Sequence, residues 1–278
     1  MDLLQIALYG FKPTPVELNA FQGVGAGSRA SLQVTPGATF CMIELISNIT
    51  NVAHITKIEV ELNGQTIVNV SGYDVKTLLE GYTKRSRAAG RYQIAFYNPE
   101  SKTLNSMRVG ELVTLPSDTL TVYVTFDPAA VSPTLRARAL VTPSQPVRRF
   151  IPKIYTVNID PAVIGENLFN YPVRSGSHFI RRLHFKSANV SKLQVVRDDL
   201  RVFNATATDN REDLSEGGDN APVAGVFHFD PAHIGFQLEG AFPTIAQKAL
   251  EFRYDVTALG AVPVLCETLD QVYFENAQ

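Results

Sequence analysis

Apolar and polar residues alternate along much of this chain with a period of two. Ile58, Val60 and Leu62 interleave with Lys57, Glu59 and Glu61, and Leu120, Val122, Val124 and Phe126 with Thr121, Tyr123 and Thr125. Leu250, Phe252 and Tyr254 do the same with Glu251, Arg253 and Asp255. That rhythm predicts half-buried strands, because successive side chains of a strand point to opposite faces. Residues 40–46, 92–97, 135–141, 179–185, 226–229 and 262–265 predict further strands. Asn63-Gly64 supplies a strong hairpin signal, since both central residues of a type I′ turn need positive φ. Helix is scarce. Residues 73–82 are the best case, with Asp74 as N-cap and Val75, Leu78, Leu79 and Tyr82 along one face. A weaker, polar echo lies at 209–214.

The pattern also occurs twice. The run from Ile55 to Gly64 is answered 135 positions later by Val190 to Asp199, with Asp198-Asp199 where Asn63-Gly64 stood. Phe96-Tyr97-Asn98-Pro99 is answered by Phe227-His228-Phe229-Asp230-Pro231, and Leu120–Asp127 by Leu250–Asp255. A repeat of this length is a duplicated domain, because solenoid repeats run at roughly 20–50 residues. Many short strands with frequent turns read as a sandwich or barrel. The expectation is therefore an all-β protein of two tandem eight-stranded antiparallel jelly rolls with few short helices. An arm over 1–24 would precede a first barrel at 25–142. A linker at 143–152 would follow, where Pro143, Pro146 and Pro152 interrupt sheet pairing, and then a second barrel and tail at 153–278.

Composition narrows the function. At 278 residues, 45% hydrophobic and 19% charged, the chain is a folded protein. Net charge is −2, with 12 basic and 11 acidic residues over 1–145 and 13 and 16 over the rest. Neither half has the basic excess that wrapping nucleic acid demands, so no sequence-specific nucleic-acid partner is expected. The start, Met1-Asp2-Leu3-Leu4-Gln5, lacks the features of a signal peptide. Apolar stretches all fall short of the ~18 residues of a membrane span. Cys41 and Cys266 sit in apolar surroundings and read as free buried thiols.

Candidate chemistry is sparse. Gly23-Val24-Gly25-Ala26-Gly27-Ser28 does not stand between a strand and a helix, as a phosphate-binding loop requires. His54, His178, His184, His228 and His233 show no short metal-binding spacing, which opposes a bicupin enzyme. No catalytic residue and no cofactor is indicated. Asp209, Glu212, Asp213, Glu216 and Asp219 line an acidic loop of the oxygen-donor kind that calcium favours, without the EF-hand pattern. Lys84, Arg85, Arg87 and Arg91 form the densest basic cluster, suited to pairing with an acidic neighbour across a subunit contact.

The segment from Ser31 to Phe40, then Ile55–Gly64, the helix with Leu78-Leu79, the basic stretch Lys84–Gly90, and Phe96 with Pro99 follow one another in an order that resembles the major capsid proteins of corticoviruses. These are tailless icosahedral bacteriophages with an internal membrane. The resemblance covers about residues 25–130 well and the second half more loosely. It implies a structural, non-enzymatic subunit that forms a homotrimer, a pseudo-hexagonal capsomer, and a shell around a lipid vesicle. Neighbouring capsomers, penton and small membrane proteins, and the membrane surface would be its partners. The virion would be its location, after assembly in the bacterial cytoplasm. An even strand number returns the chain to its starting side, so arm, linker and C-terminus share one end of the subunit. Lys12, Arg148, Arg149 and Lys153 gather there, and the resemblance turns that end towards anionic head groups inside the shell. The alternative is a two-domain β-sandwich that binds carbohydrate, opposed by the absence of tryptophan.

Overall fold

The computed structural model describes residues 12–217 and 220–272. The first repeat contributes β1 (Thr14–Glu17), β2 (Arg29–Val34), β3 (Thr39–Ser47), β4 (Ile55–Leu62), β5 (Gln65–Val70), β6 (Arg91–Ala95), β7 (Leu112–Val113), β8 (Leu120–Phe126) and β9 (Leu135–Thr142). The second contributes β10 (Phe150–Ile159), β11 (Gly165–Phe169), β12 (His178–Phe185), β13 (Val190–Arg197), β14 (Leu200–Thr206), β15 (Phe227–Phe229), β16 (Phe242–Pro243), β17 (Leu250–Val256) and β18 (Val262–Gln271). One sheet of the first repeat runs β1-β9-β3-β6 with β7 beside β3, and the other β5-β4-β8-β2. The second repeat runs β10-β18-β12-β15 with β16 beside β12, and β11-β17-β13-β14. Each strand thus has its counterpart nine strands on. Eight principal strands and a two-residue ninth make a jelly roll, and the chain holds two.

The repeat extends to backbone detail. Asn63 and Gly64 (φ 52° and 75°) turn β4 into β5, and Asp198 and Asp199 (φ 50° and 68°) turn β13 into β14. The Asn63 side chain accepts from Thr119 N–H (2.8 Å) and the Asp198 carboxylate from Ala249 N–H (3.2 Å), each just before the neighbouring strand. Backbone N–H groups of Lys248 and Gln247 also hold the Asp198 carboxyl below the usual aspartate range. Bulges fall at matched places too: at Cys41 in β3 and Arg181 in β12, and at Ile67 in β5 and Val202 in β14.

Helices follow β5 and β14. The first, α1, is π-helical over Asp74–Leu79 and closes as an α turn over Glu80–Tyr82. A short α2 spans Leu104–Arg108, and α3 spans Ala207–Gly217. Asp74 is not the N-cap. Ser71 Oγ accepts from Asp74 N–H (3.1 Å) while the Asp74 carboxylate accepts from Ser71 N–H (3.0 Å), a reciprocal capping box one turn earlier than expected. Thr206 and Asp209 pair likewise, 135 residues on, through Asp209 N–H to Thr206 Oγ1 (3.2 Å) and Thr206 Oγ1–H to Asp209 (2.7 Å).

The stretch expected to be an acidic loop is helical instead. Asp209, Glu212, Asp213 and Glu216 lie on a helix rather than a loop, with Asp209 engaged at its N-terminus, and Asp219 lies outside the described residues. Two boundaries also move. β1 lies inside the stretch expected to be an arm, because the outer edge of β9 offers a ladder that Thr14–Glu17 completes. β10 begins at Phe150, and Pro152 stands in register with Leu269. On its other side β10 meets β5 only at Ile154, so at Pro152 the strand is an edge, where proline is tolerated.

The alternating apolar positions fill two cores. Ile58, Val60 and Leu62 are buried in one with Val122, Val124 and Phe126, and Leu193, Val195 and Phe252 anchor the other. A parallel bridge between Ile154 and Val68 joins β10 to β5, so a single nine-stranded sheet passes through both repeats.

Replacing Phe126 or Phe252 by Ala should cost about 3–5 kcal/mol each in denaturant unfolding. Thr121→Ala, on the opposite face of the same strand as Phe126, should stay within about 0.5 kcal/mol. Equal losses at both faces would refute the inward assignment.

Candidate functional site

The most heavily buried chemistry lies between the repeats. On β12, Arg181 and Arg182 interrupt an otherwise apolar run and turn towards the first repeat. Arg182 Nη2 donates to Glu100 (2.7 Å), Nε to Asp230 (3.1 Å), and Nη1 to both oxygens of Glu267 (3.4 Å each). Glu100 also accepts from Arg85 (2.7 Å), and Asp230 from Tyr82 O–H (2.9 Å). Arg181 donates to Asn98 Oδ1 and the Phe96 carbonyl. Two guanidinium groups, Arg85 and Arg182, thus meet three carboxylates, while Arg181 is held by an amide oxygen and a backbone carbonyl. Burial disfavours the Arg182 cation, but Glu267, Asp230 and Glu100 reverse this and hold it well above the ordinary arginine value. Burial likewise opposes the Glu267 anion, and Arg182 with His184 overcomes it, leaving this carboxyl well below its usual range. Gly110 makes room: a Cβ there would lie 2.2 Å from Phe96 O and 2.9 Å from Arg181 Nη1.

Two histidines complete the cluster. His184 and His228 face each other across β12 and β15 with their Nδ1 atoms 2.6 Å apart. Val223 N–H donates to His228 Nε2 (2.9 Å), so His228 must carry its proton on Nδ1 and donate it to His184. His184 then donates from Nε2 to Glu267 (2.9 Å). Every ring nitrogen is satisfied with both rings neutral. A further proton on His228 would point at the Val223 N–H. Burial, and then His184, push the His228 pKa down to about 2. Tyr82 stacks on His228 at 4.5 Å between ring centroids.

A second relay lies inside the second barrel: Tyr155 O–Tyr171 O (2.9 Å), Tyr171 O–His178 Nε2 (2.9 Å), His178 Nδ1–Asp270 (2.5 Å) and Lys153 Nζ–Asp270 (2.6 Å). It resembles a proton relay, but its tyrosine is enclosed, and burial lifts the Tyr171 phenol far above its ordinary value. Among the described residues no cluster of His, Cys, Asp or Glu is arranged to hold a metal. In the glycine-rich stretch, Ser28 Oγ lies 2.7 Å from both the Gly23 and the Gly25 carbonyl.

The basic stretch divides. Arg85 is drawn to Glu100, and Arg91 to Glu44 (3.3 Å), whereas Lys84 and Arg87 are exposed. At the end where β1 starts, the linker runs and β18 ends, Arg148 donates to Asp118 (2.6 Å) and Lys153 to Asp270, while Lys12 and Arg149 are exposed. Thr14 stands opposite Val141 and Phe150 opposite Gln271, which brings the start of β1, the linker and the end of β18 to that end. A cleft of about 500 Å³ opens there between Arg108, Gln145, Arg149 and Leu238.

The N-terminal domain of viral coat protein P2 matches residues 15–142, and its C-terminal domain matches residues 151–272. The chain belongs to the viral coat protein P2 family. Among solved structures, the major capsid protein P2 of bacteriophage PM2 shares the fold at a TM-score of 0.86 and 20% identity, over 95% of this chain and 99% of that one. The STIV MCP follows at 0.69 and 8% identity, over 94% and 98%, and the PBCV-1 virus capsid at 0.59 and 12%, over 95% and 97%. Comparison with curated proteins gave no match. This coat protein is therefore a double jelly roll.

The inter-repeat cluster escaped sequence reasoning because its members come from five separate segments. One signal was present: Arg181-Arg182 sits in the middle of Phe179-Ile180-Arg181-Arg182-Leu183-His184-Phe185, and paired charges inside a buried strand need buried partners.

His228 gives the coat protein an acid sensitivity of defined sign. The unfolded chain takes up this proton below about pH 6.5 and the folded one does not, so stability is full above that pH and declines below it by up to about 1.4 kcal/mol per unit. Denaturant unfolding at pH 5.5 should show about 1.4 kcal/mol less stability than at pH 7.5 from this group. His228→Gln should remove most of that difference, and an unchanged pH dependence would sink the assignment.

Proposed function

We propose that the chain is the major capsid protein of a virion. Three copies form a pseudo-hexagonal capsomer of six jelly rolls, and capsomers tile an icosahedral shell around an internal membrane. The observation that carries this reading is the strand-for-strand duplication, locked across the repeats by the Arg182 cluster. Each chain thereby offers two like blocks in one fixed orientation, which is what a near-sixfold tile needs from a three-chain assembly. Membership of a coat protein family and the fold shared with the PM2 and STIV proteins support it.

The role is structural rather than enzymatic. The groups with catalytic potential, His184, His228, Tyr171 and Glu267, are buried and already hydrogen-bonded within the protein. Carbohydrate binding gains no support, since Tyr73 and Phe236 are the exposed aromatic side chains among the described residues. The end carrying Lys12, Arg148, Arg149 and Lys153 faces the interior. Each basic residue near an anionic bilayer contributes about 1 kcal/mol, and many copies act together. Lys84, Arg85, Arg87 and Arg91 belong to subunit contacts, with Lys84 and Arg87 the outward members.

Light scattering on purified protein should give a trimer of the 30.5 kDa chain. A monomer across micromolar concentrations would overturn the capsomer. On intact particles, proteases should leave the linker over 143–149 uncut until the shell is opened. Early cleavage there would reverse the orientation.

A further inference from the structure

The strand-for-strand equivalence leaves one contact that the chain makes only once. In the first repeat, β5 has its outer edge covered by β10 of the second. The counterparts of these two strands are β14 and β1. Among the described residues β14 pairs with β13 alone and β1 with β9 alone, so each ends its sheet with one open edge. A long, exposed apolar edge is a site of pairing with another chain unless it is covered, and β14 is such an edge, seven residues long with Leu200 and Val202 outward, while β1 is short.

Burial records the difference position by position. Ile67, the bulged residue of β5, is 2% exposed, whereas Val202, the bulged residue of β14, is 42% exposed and Leu200 beside it 67%. All four residues of β1 are exposed, including Val16 at 44%, which holds the place that Tyr155 holds on β10.

Charge follows the same division. Within the chain, α1 lies against the outer face of β12, β15 and β18, through Tyr82 on His184 and His228 and through the Asp74–Lys186 pair (2.7 Å). The counterpart of α1 is α3, whose Glu212, Asp213 and Glu216 are exposed. The counterpart of the covered face is the outer face of β3, β6 and β9. Arg91, Arg136 and Arg138 stand on it, two of them drawn to the buried Glu44 and the third to Glu17 of β1 (3.0 Å), which leaves the arginines in excess by one. An acidic helix and a cationic face are complementary, whereas two copies of α3 would repel each other.

We infer that β14 and α3 of one chain receive β1 and the outer face of β3, β6 and β9 of a second copy, repeating between chains the contact that β5 and α1 make with β10 and β12 within one. The proposal rests on the shell-subunit reading and gives its seam a register. The Ile154–Val68 bridge transposes to Pro15 opposite Phe203, which sets Thr14 of one chain beside Val202 of the next. The contact is heterologous, so copies add head to tail rather than stopping at a pair, and in the three-copy capsomer proposed above they close into a ring.

Cysteine pairing tests the register, because adjacent strands lie within disulfide reach and the native Cys41 and Cys266 are buried. The double variant Thr14→Cys/Val202→Cys, mildly oxidised, should run on a denaturing non-reducing gel as a ladder ending at the ring. Each single variant should run as a monomer. If light scattering shows an oligomer but the double variant does not cross-link, the seam is elsewhere while the shell-subunit reading stands. Disulfide dimers from Val202→Cys alone would mean that β14 pairs with itself, and would overturn the proposal. A monomer in light scattering would sink both readings together. Val202→Lys supplies an independent check at an exposed site. It should weaken association about tenfold or more with an unchanged circular dichroism spectrum of the folded protein, and undiminished association would refute the seam.

Discussion

A strand at the border of a sheet carries a row of unpaired donors and acceptors, and much of this molecule is organised by how those borders are closed. β1 closes the open side of β9. Its counterpart β10 closes the open side of β18 and in the same stroke meets β5, which joins one sheet of each barrel into a continuous nine-stranded sheet. The parallel bridge is a single residue pair. It sets the register between the repeats, and packing around it does the rest: Ile154 and Leu265, from the second repeat, are buried in the core of the first.

Beside that bridge, charge supplies what apolar packing lacks, which is a preference for one arrangement. A hydrophobic face slides at little cost, whereas Arg182 reaches three carboxylates in three directions and tolerates little displacement. Desolvating such a cluster is expensive, and replacing it by apolar side chains of similar volume is often neutral or stabilising in other proteins. Its value here lies in orientation. The chain of donors from Val223 N–H through His228 and His184 to Glu267 has one direction only, and it fixes the ring orientations that Tyr82 packs against.

Much of the fold was legible in the sequence because strands announce themselves locally. The alternation at Ile58–Leu62 and Leu120–Phe126 specified both the strands and their inward faces. The 135-residue shift between Asn63-Gly64 and Asp198-Asp199 specified the duplication, down to a turn that tolerates aspartate at positive φ. Capping was read one turn late, at Asp74, because a serine and an aspartate three apart can each serve as the cap until geometry decides. The acidic stretch from Asp209 carries only a weak helical echo and reads as a loop because its apolar positions are few, and Thr206 starts a helix there all the same. The buried cluster was illegible for a different reason. Its spacing runs from Tyr82 to Glu267, and only the cross-strand pairing of His184 with His228 and of Arg182 with Glu267 brings those side chains together.

The matched bulges show what duplication made possible. On β12 the bulge and the next outward positions hold Arg181, Arg182 and His184; on β3 the same backbone holds Cys41, Met42 and Glu44. In an assembly of identical single barrels, one set of residues would have to serve every such face. Joining two barrels in one chain frees the faces from each other: one turns permanently inward and can commit to a rigid ionic lock, and the other is left to serve the reversible contact between copies inferred above. The covalent link thus separates permanence from reversibility on two copies of what was a single surface.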